Sequence, residues 1–161
     1  MTVTGHSTAV GRMKLSRPMR HLVDNNYLPS EGEYQDTLDY GCGKGDDIRD
    51  LLVEGIPCHG YDPHHRNETW VLNWKWDVVT CIYVANVLGR KEANRLIGDI
   101  QEILKPSGIC YMAIRNDLPE TGRNGRGCIQ TPWKLQGAGL LHKSAGFYLY
   151  CIRKEYKCIV T

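Results

Sequence analysis

A glycine-rich turn between a short apolar strand and a helix constrains this chain more than any other feature. Residues 37–40 (TLDY) read as a buried strand, and Gly41, Gly43 and Gly45 follow it at alternate positions. Residues 46–53 then repeat apolar side chains at helical spacing, with two acids in the first turn, where the helix dipole favours negative charge. Strand, glycine turn and helix in this order predict the first half of a nucleotide-type βαβ unit.

The second half of the unit follows directly. Gly55 ends the helix, residues 57–61 read as a second strand, and Asp62 stands at the carboxyl end of that strand. Glycine lets a ligand approach the backbone closely. A carboxylate seventeen positions after Gly45 is placed to accept hydrogen bonds from ribose hydroxyls. The alternative, a glycine turn that merely packs, is the weaker interpretation because the acid stands at the right distance.

The spacing of the glycines distinguishes between nucleotide classes. Dinucleotide enzymes usually show G-x-G-x-x-G, whereas residues 39–45 read D-Y-G-C-G-K-G, with Asp39 two places before the first glycine. This pattern resembles motif I of the class I S-adenosylmethionine (SAM) methyltransferases. The resemblance implies that SAM is the cofactor, that Asp39 and the glycine backbone hold its methionine end, and that Asp62 holds its ribose.

Other segments extend the resemblance over residues 14–153, nearly the whole chain. They are similar to small methyltransferase-domain proteins of bacteria, plasmids and phages, and also to the methyltransferase domain associated with DNA phosphorothioation. The matching segments are residues 16–20 (SRPMR), 39–47, 60–63 (GYDP), 83–88 (YVANVL), 115–117 (RND) and 127–130 (GCIQ). The resemblance implies a phage or mobile-element origin and names no substrate.

The rest of the chain predicts a Rossmann-like α/β fold. Residues 77–84 and 109–114 read as further buried strands, with an amphipathic helix over residues 92–104 between them and a terminating turn at residues 105–108. Two closing strands are predicted at residues 140–141 and 147–153, and a short helix at residues 16–23. We therefore expect a mostly parallel sheet that ends in an antiparallel strand pair.

One segment is shorter than the resemblance implies. Family members usually place a helix, a strand and a helix between the acid of strand two and the fourth strand, but residues 63–76 are too few to hold two helices. In the numbering of the family's sheet, we predict a sheet reduced between strands 2 and 4, so that the third strand is missing or vestigial. We expect backbone groups near residues 73–74 to recognise adenine instead. The open edge of strand two would be available for pairing with another copy, which makes a homodimer possible.

Length and composition set the remaining limits. A chain of 161 residues predicts a single domain over residues 1–161, with residues 1–12 expected to be flexible. Seven cysteines without a CxxC pair indicate free thiols in a reducing compartment, and no apolar run reaches membrane length, so we expect a cytoplasmic protein without a membrane partner. His64 and His65 have no third ligand at metal spacing, and we predict no metal site.

Candidate catalytic residues follow the two central strands. Methyl transfer is an in-line displacement, so the protein mainly positions the acceptor and accepts a proton. Tyr83 lies at the end of the strand at residues 77–84 and Asn86 just after it, where a hydroxyl or amide can hydrogen-bond the acceptor, and Arg115 and Asp117 follow the next strand. The alternatives are a packed ring for Tyr83 and a local ion pair for Arg115 and Asp117.

The candidate cofactor site includes the glycine turn, its flanking residues and one arginine of the first helix. Arg20 is expected to pair with the carboxylate of SAM, although a surface arginine is an equal alternative, and Asp46 is either a ligand or a solvated helix-start residue. The candidates are Arg20, Asp39, Gly41, Cys42, Gly43, Gly45, Asp46, Asp62, Pro63 and Tyr83.

The acceptor itself stays open between a small molecule and a nucleic acid. Residues 82–86 read IYVAN, not the Asn/Asp-Pro-Pro-Tyr motif of exocyclic-amine methylation, and Pro57-Cys58 lies at the wrong end of the sheet for cytosine C5 chemistry. Both base-methylation classes are therefore disfavoured. Two further alternatives are a non-catalytic SAM-binding or partner-binding module and, less favoured, a nicotinamide-dependent reductase.

Overall fold

The computed structural model describes residues 11–30, 32–33, 35–118, 120–123 and 128–161. Residues 1–10, which belong to the segment expected to be flexible, and Gly127 lie outside these ranges. The helices are α1 (Arg17–Asp24), α2 (Asp46–Val53) and α3 (Arg90–Ile103). The strands are β1 (Thr37–Tyr40), β2 (His59–Tyr61), β3 (Trp76–Ile82), β4 (Leu104–Arg115), β5 (Gly122–Arg123), β6 (Ile129–Gln130), β7 (Leu135–Gln136), β8 (Gly139–Ser144), β9 (Phe147–Arg153) and β10 (Ile159–Val160). Short 3-10 helices occupy Thr69–Leu72 and Ala85–Val87.

Six of these strands form one sheet in the order β2-β1-β3-β4-β9-β8. The pairs β1–β2, β1–β3 and β3–β4 are parallel, whereas β4–β9 and β9–β8 are antiparallel. The predicted fold class, a mostly parallel Rossmann-like sheet with a closing antiparallel strand pair, is confirmed.

The predicted reduction is also present. All of residues 62–75 are described, and they contain the 3-10 helix Thr69–Leu72 and an isolated bridge between Asp62 and Arg66, but no strand. As a result β2 is the outer strand on this side of the sheet. Where a fuller sheet would continue, the chain returns directly to the centre as β3.

The core has two layers because the central strands are apolar on both faces. One face of β3, including Val79 and Cys81, packs with α3 in the larger cluster of buried residues. The other face, including Val78, packs with Met19 of α1 and Leu51 of α2. Burial on both faces is expected of strands in the middle of a parallel sheet covered by helices.

The end of α3 differs from the prediction. The helix ends at Ile103, and β4 begins at the next residue, without the turn expected at residues 105–108. Leu104 is fully buried and pairs in register with Trp76, and the ammonium group of Lys105 lies 2.6 Å from Asp77 Oδ2, so tertiary contacts favour the extended conformation here. Pairing between β3 and β4 shifts register between Trp76 and Val78, which accommodates the extra length.

Helix α1 is held against the sheet by its cap and its buried face. The Ser16 hydroxyl caps the helix by accepting a hydrogen bond from Met19 N, and Met19 and Leu22 are fully buried. On its other side, the His21 ring stacks on His142 of β8 with centroids 3.9 Å apart. Among the residues that the structure describes, none of the helices combines the length and apolarity needed to cross a membrane.

Candidate active site

The glycine turn has the backbone geometry that its sequence predicts. Gly41, Gly43 and Gly45 have φ angles of +81°, +54° and +81°, a region that residues with a Cβ rarely adopt. Gly41 N and Cys42 N donate hydrogen bonds of 2.7 Å and 3.0 Å to the carbonyl of Tyr61, which fixes the turn against the end of β2. A Cβ on Gly41 would collide with Val84, so glycine is required there for steric reasons as well.

Asp62 joins the two halves of the nucleotide motif. Its Oδ2 accepts a 3.1 Å hydrogen bond from Gly43 N, and its Oδ1 accepts bonds of 2.9 Å from His64 N and His65 N. A carboxylate has about four lone-pair positions, so Oδ2 retains capacity for one further donor. Asp62 therefore caps its own turn and also presents an acceptor oxygen beside the glycine backbone.

A cavity of about 300 Å³ lies at the carboxyl ends of β1, β2 and β3. This volume is at the lower end of the range usual for small-molecule sites. Its backbone-rich wall contains Gly41, Cys42, Gly43, Lys44, Asp62, Pro63 and His64. Its apolar wall contains Tyr40, Tyr61, Ile82, Val84, Val87, Leu88 and Leu96, and the remaining lining residues are Arg12, Asp46, Asp47 and Tyr83.

The segment before α1 reaches the cavity because two acids of α2 bind it. Asp46 Oδ2 accepts a 2.7 Å hydrogen bond from Arg12 N, and Asp47 accepts bonds of 2.6 Å and 2.7 Å from the backbone and hydroxyl of Ser16. The Arg12 guanidinium then lies 3.7 Å from Asp47 Oδ2. Asp46 therefore lines the cavity and anchors this segment at the same time.

Arg20 lies outside the cavity, contrary to the expectation that it would face the cofactor. Its guanidinium pairs with Glu54 at 2.6 Å and with Asp24 at 3.7 Å on the exposed side of α1. Arg20 is therefore a surface arginine, which was the alternative interpretation. Arg12 lines the cavity instead.

Asp39 lies behind the glycine turn and does not line the cavity. It is buried, and its Oδ1 accepts a 2.8 Å hydrogen bond from the Thr80 hydroxyl. Burial, reinforced by the negative charge of Asp47, raises the pKa of Asp39 to about 7. Burial likewise raises the pKa of the Cys42 thiol to about 12, so this cysteine stays protonated at neutral pH.

Tyr83 is the predicted catalytic residue that lines the cavity. It follows β3 with a φ of +63°, a strained conformation for a residue with a side chain, and its N–H donates to the carbonyl of Ala113 at 2.9 Å. Burial raises the pKa of Tyr83, so the hydroxyl is neutral at physiological pH. A neutral phenol can donate or accept a hydrogen bond without ionising.

The other predicted catalytic residues are engaged with each other outside the cavity lining. Buried Asn86 donates through Nδ2 to the carbonyl of Thr131 at 2.7 Å and accepts at Oδ1 from Arg115 N at 2.9 Å. The Arg115 guanidinium donates to both oxygens of Asp117, at 2.8 Å and 2.9 Å, and to Gln130 Oε1 at 2.6 Å. Arg115 and Asp117 therefore form the local ion pair that the sequence offered as the alternative.

Reasoning from sequence placed the adenine-binding residues wrongly and missed the apolar wall of the cavity. Residues 73–74 were expected to recognise adenine, but Trp74 Nε1 donates to Asp36, which precedes β1 and so lies at the opposite end of the sheet. The apolar wall of the cavity includes instead Val84, Val87 and Leu88, which follow β3. The run YVANVL after β3 carried this signal, since such a run at a strand's carboxyl end faces the ligand side of an α/β sheet.

The fold and the cavity together define a class of protein. An open, mostly parallel sheet with a glycine turn and a carboxylate at one cavity is a Rossmann-like protein that binds a nucleotide cofactor. The chain matches a family described as methyltransferase domain over residues 12–135, which is more than half of its length. It belongs to this family. Membership confirms the predicted class, a class I SAM-dependent methyltransferase, and with it SAM as the cofactor of the fold.

Solved structures show the same fold at low sequence identity. One is the 1,6-didemethyltoxoflavin N1-methyltransferase of Burkholderia thailandensis, solved with 1,6-didemethyltoxoflavin and S-adenosylhomocysteine (SAH); it is 11% identical, with a TM-score of 0.57 and coverage of 83% of this chain and 75% of that chain. A TehB-like SAM-dependent methyltransferase of Corynebacterium glutamicum is 15% identical, with a TM-score of 0.55 and coverage of 92% of each chain. A SAM-dependent methyltransferase of Clostridium acetobutylicum is 12% identical, with a TM-score of 0.51 and coverage of 91% and 93%. A comparison with curated proteins finds no match.

Proposed function

We propose that the chain holds SAM in the cavity beside the glycine turn and methylates an oxygen, nitrogen or sulfur atom of an acceptor that enters beside Tyr83. The observation that carries this proposal is the 3.1 Å hydrogen bond from Gly43 N to Asp62 Oδ2. It brings the glycine backbone and the ribose-type carboxylate together at one cavity, as the motif requires.

The residues that line the cavity suit the parts of this cofactor. Asp62 Oδ2 has acceptor capacity left for a ribose hydroxyl, and the apolar wall, which includes Val84, Val87 and Leu88, suits a base. Arg12 offers a cation to the methionine carboxylate. Gly41 and Gly43 keep side chains out of the space between these groups.

Negative charge near the cavity suits a cationic ligand. Asp62 lies in the lining, buried Asp47 contributes to it, and Asp39 lies behind the turn. Their mutual influence is visible in the pKa of Asp39, which both Asp47 and Asp62 help to raise. A positively charged sulfonium relieves this repulsion, whereas a neutral thioether does not. We therefore expect the charged cofactor to gain more from this site than its demethylated product.

Tyr83 is the residue that we propose to contact the acceptor. SAM supplies a methyl group that leaves its sulfonium by in-line displacement, so the protein's main tasks are positioning and proton acceptance. With its pKa raised by burial, the Tyr83 hydroxyl stays protonated and orients the acceptor by a hydrogen bond. It does not act as a general base at neutral pH. Asn86 and Arg115 do not contact the acceptor directly in this proposal. Asn86 holds the end of β4 in place by accepting a hydrogen bond from Arg115 N.

Binding and turnover test this proposal separately. SAH should raise the melting temperature of the protein, whereas nicotinamide cofactors should leave it unchanged. Single-turnover assays with a labelled methyl donor over a panel of metabolites, proteins and nucleic acids then test transfer. Family membership favours catalysis over the non-catalytic module. A protein that binds SAH but transfers no label to any acceptor would support the module, and the absence of SAH binding would refute the cofactor site.

Three finer predictions stay predictions: a cytoplasmic location, a phage or mobile-element origin, and a homodimer. Only the homodimer has structural support, because β2 is an outer strand and its first residue, His59, is exposed. Light scattering coupled to size-exclusion chromatography tests it directly, and a monomer at high concentration would contradict it.

A further inference from the structure

An arginine at the start of α1 lies against the turn that closes the sheet. The Arg17 guanidinium carbon is 5.7 Å from the centroid of the Phe147 ring, close enough for a cation–π contact. A Cβ built on Gly146 would come within 2.8 Å of Arg17 Nη1. Arg17 is therefore held between a ring and a turn, although its side chain is exposed.

The same turn is bonded to the end of β4. Asn116 Oδ1 accepts a 2.9 Å hydrogen bond from Gly146 N, and Asn116 Nδ2 donates to the carbonyl of Ser144 at 2.9 Å. These bonds bring the β8–β9 turn next to Arg115 and Asp117. Arg17 consequently belongs to the rim formed where β4 ends, on the Tyr83 side of the cavity.

The charges on this rim act on Tyr83. Arg17, Arg12 and Arg115 each act to lower the pKa of the Tyr83 hydroxyl, whereas Asp117 acts to raise it, although burial has the largest effect. Of the charges with the largest effect on the hydroxyl, three belong to arginines and one to a carboxylate. The rim beside Tyr83 therefore carries more positive than negative charge, whereas the carboxylates of Asp46, Asp47 and Asp62 belong to the cavity lining.

The three arginines differ in how far their charge is already compensated. Arg115 binds Asp117 in a bidentate pair, and Arg12 lies 3.7 Å from Asp47. In the part of the chain that the structure describes, no carboxylate lies within ion-pairing distance of Arg17. Asp117 acts on it only at longer range. Arg17 is thus the available cation of the rim.

We propose that Arg17 binds an oxyanion of the methyl acceptor, which is therefore a small molecule carrying a carboxylate or phosphate group. This inference rests on the proposed function. A guanidinium binds such groups with two parallel hydrogen bonds, and the Phe147 contact restricts its orientation before binding. A small anion fits better than a nucleic-acid backbone, because Arg17 is a single uncompensated cation, Asp117 on the same rim would repel a continuous row of phosphates, and the formal net charge is only +2.

Matched probes test the inference on the full chain loaded with SAH. Benzoate and benzamide share a skeleton and differ in charge, phenyl phosphate presents the other oxyanion, and a single-stranded oligonucleotide represents the polyanion. Titration calorimetry should show benzoate or phenyl phosphate binding at least tenfold more tightly than benzamide, about the ratio expected for one charge-assisted pair. Arg17→Gln should abolish this preference, and Arg17→Lys should retain part of it.

Arg153→Gln is the control, since Arg153 lies at the other end of β9, about 20 Å from Phe147 at 3.3 Å per residue. It should keep the preference of the wild type. Equal affinity for benzoate and benzamide would overturn the inference, as would an unchanged preference in Arg17→Gln. Binding of the oligonucleotide alone would overturn the choice of a small acceptor. Since SAH binding is measured in the same samples, its failure would count against the proposed function instead.

Discussion

Replacing Asp62 tests the cofactor site most sharply, because this carboxylate has a structural and a proposed ligand role that two variants can separate. Asp62→Ala removes the acceptor of three backbone N–H groups, those of Gly43, His64 and His65. His64 and His65 are exposed, so water replaces the lost acceptor there, whereas Gly43 is partly shielded. We expect a loss of stability of about 1–2 kcal/mol, mostly from the Gly43 contact.

The loss of SAM affinity should be larger. A hydrogen bond from a ribose hydroxyl to a carboxylate is charge-assisted and contributes about 1.5–3 kcal/mol, so its removal should weaken binding roughly tenfold to a hundredfold. The amide of Asp62→Asn can keep the Oδ1 acceptor for His64 and His65, but it places an NH2 group opposite Gly43 N. Two donors then face each other at the position where the ribose hydroxyl should bind.

The asparagine variant should therefore retain most of the turn's stability and lose nearly as much affinity as the alanine variant. Calorimetric titration with SAM and SAH measures affinity, and thermal unfolding measures stability in the same preparations. Glu68→Gln is the control, since Glu68 lies in the following loop and bonds Arg66 and Trp70 rather than lining the cavity. A folded Asp62→Asn protein with wild-type affinity would refute the assignment of Asp62 to the ribose.

Three further substitutions address the turn, the buried acid and the buried amide. Gly43→Val should abolish SAH binding, because φ is +54° there and the side chain would fill ligand space. Calorimetry that still shows binding would contradict the placement of the cofactor beside Gly43. Asp39→Asn should flatten the dependence of stability on pH. In the wild type the unfolded state releases this proton near pH 3.8 and the folded state near pH 7, so stability falls as pH rises between them, in total by an amount on the order of 4 kcal/mol. Denaturant titrations at pH 4 and pH 8 check this, and parallel pH profiles of the two proteins would refute it. Asn86→Ala should lower the free energy of unfolding by about 1–3 kcal/mol while leaving SAH affinity nearly unchanged, since its amide bonds Thr131 and Arg115; an affinity loss larger than the stability loss would contradict its structural role.

The glycine turn and its two flanking strands could be predicted because each is specified locally. The glycines at positions 41, 43 and 45 require no partner to indicate a left-handed backbone, and the helix after them shows its own periodicity. The end of α3 could not be read in this way. Residues 105–108 have turn-like composition, but they belong to β4, where Leu104 is buried opposite Trp76 and Lys105 pairs with Asp77.

The direction of side chains after a strand was the harder problem. Tyr83 and Asn86 both follow β3, and the sequence placed both at the cleft. The 3-10 helix Ala85–Val87 turns Asn86 towards Thr131, forty-five positions later, where its amide is satisfied. No local pattern indicates a partner at that distance. The same limit explains why the sequence pointed to Arg20 rather than Arg12 as the arginine at the cavity. The contact that brings Arg12 there is made with Asp46, thirty-four positions away.

This N-terminal contact has a consequence for how the cofactor site works. Asp46 and Asp47 read as helix-start acids in the sequence, but they bind residues 12–16 and thereby hold Arg12 over the cavity. Part of the cavity wall therefore exists only while this segment is docked. A ligand whose carboxylate pairs with Arg12 must favour the docked state, and docking must favour the ligand by the same free energy. Cofactor binding should accordingly slow hydrogen exchange at Arg12 N and Ser16 N more than at the amides of β9, none of whose residues lines the cavity.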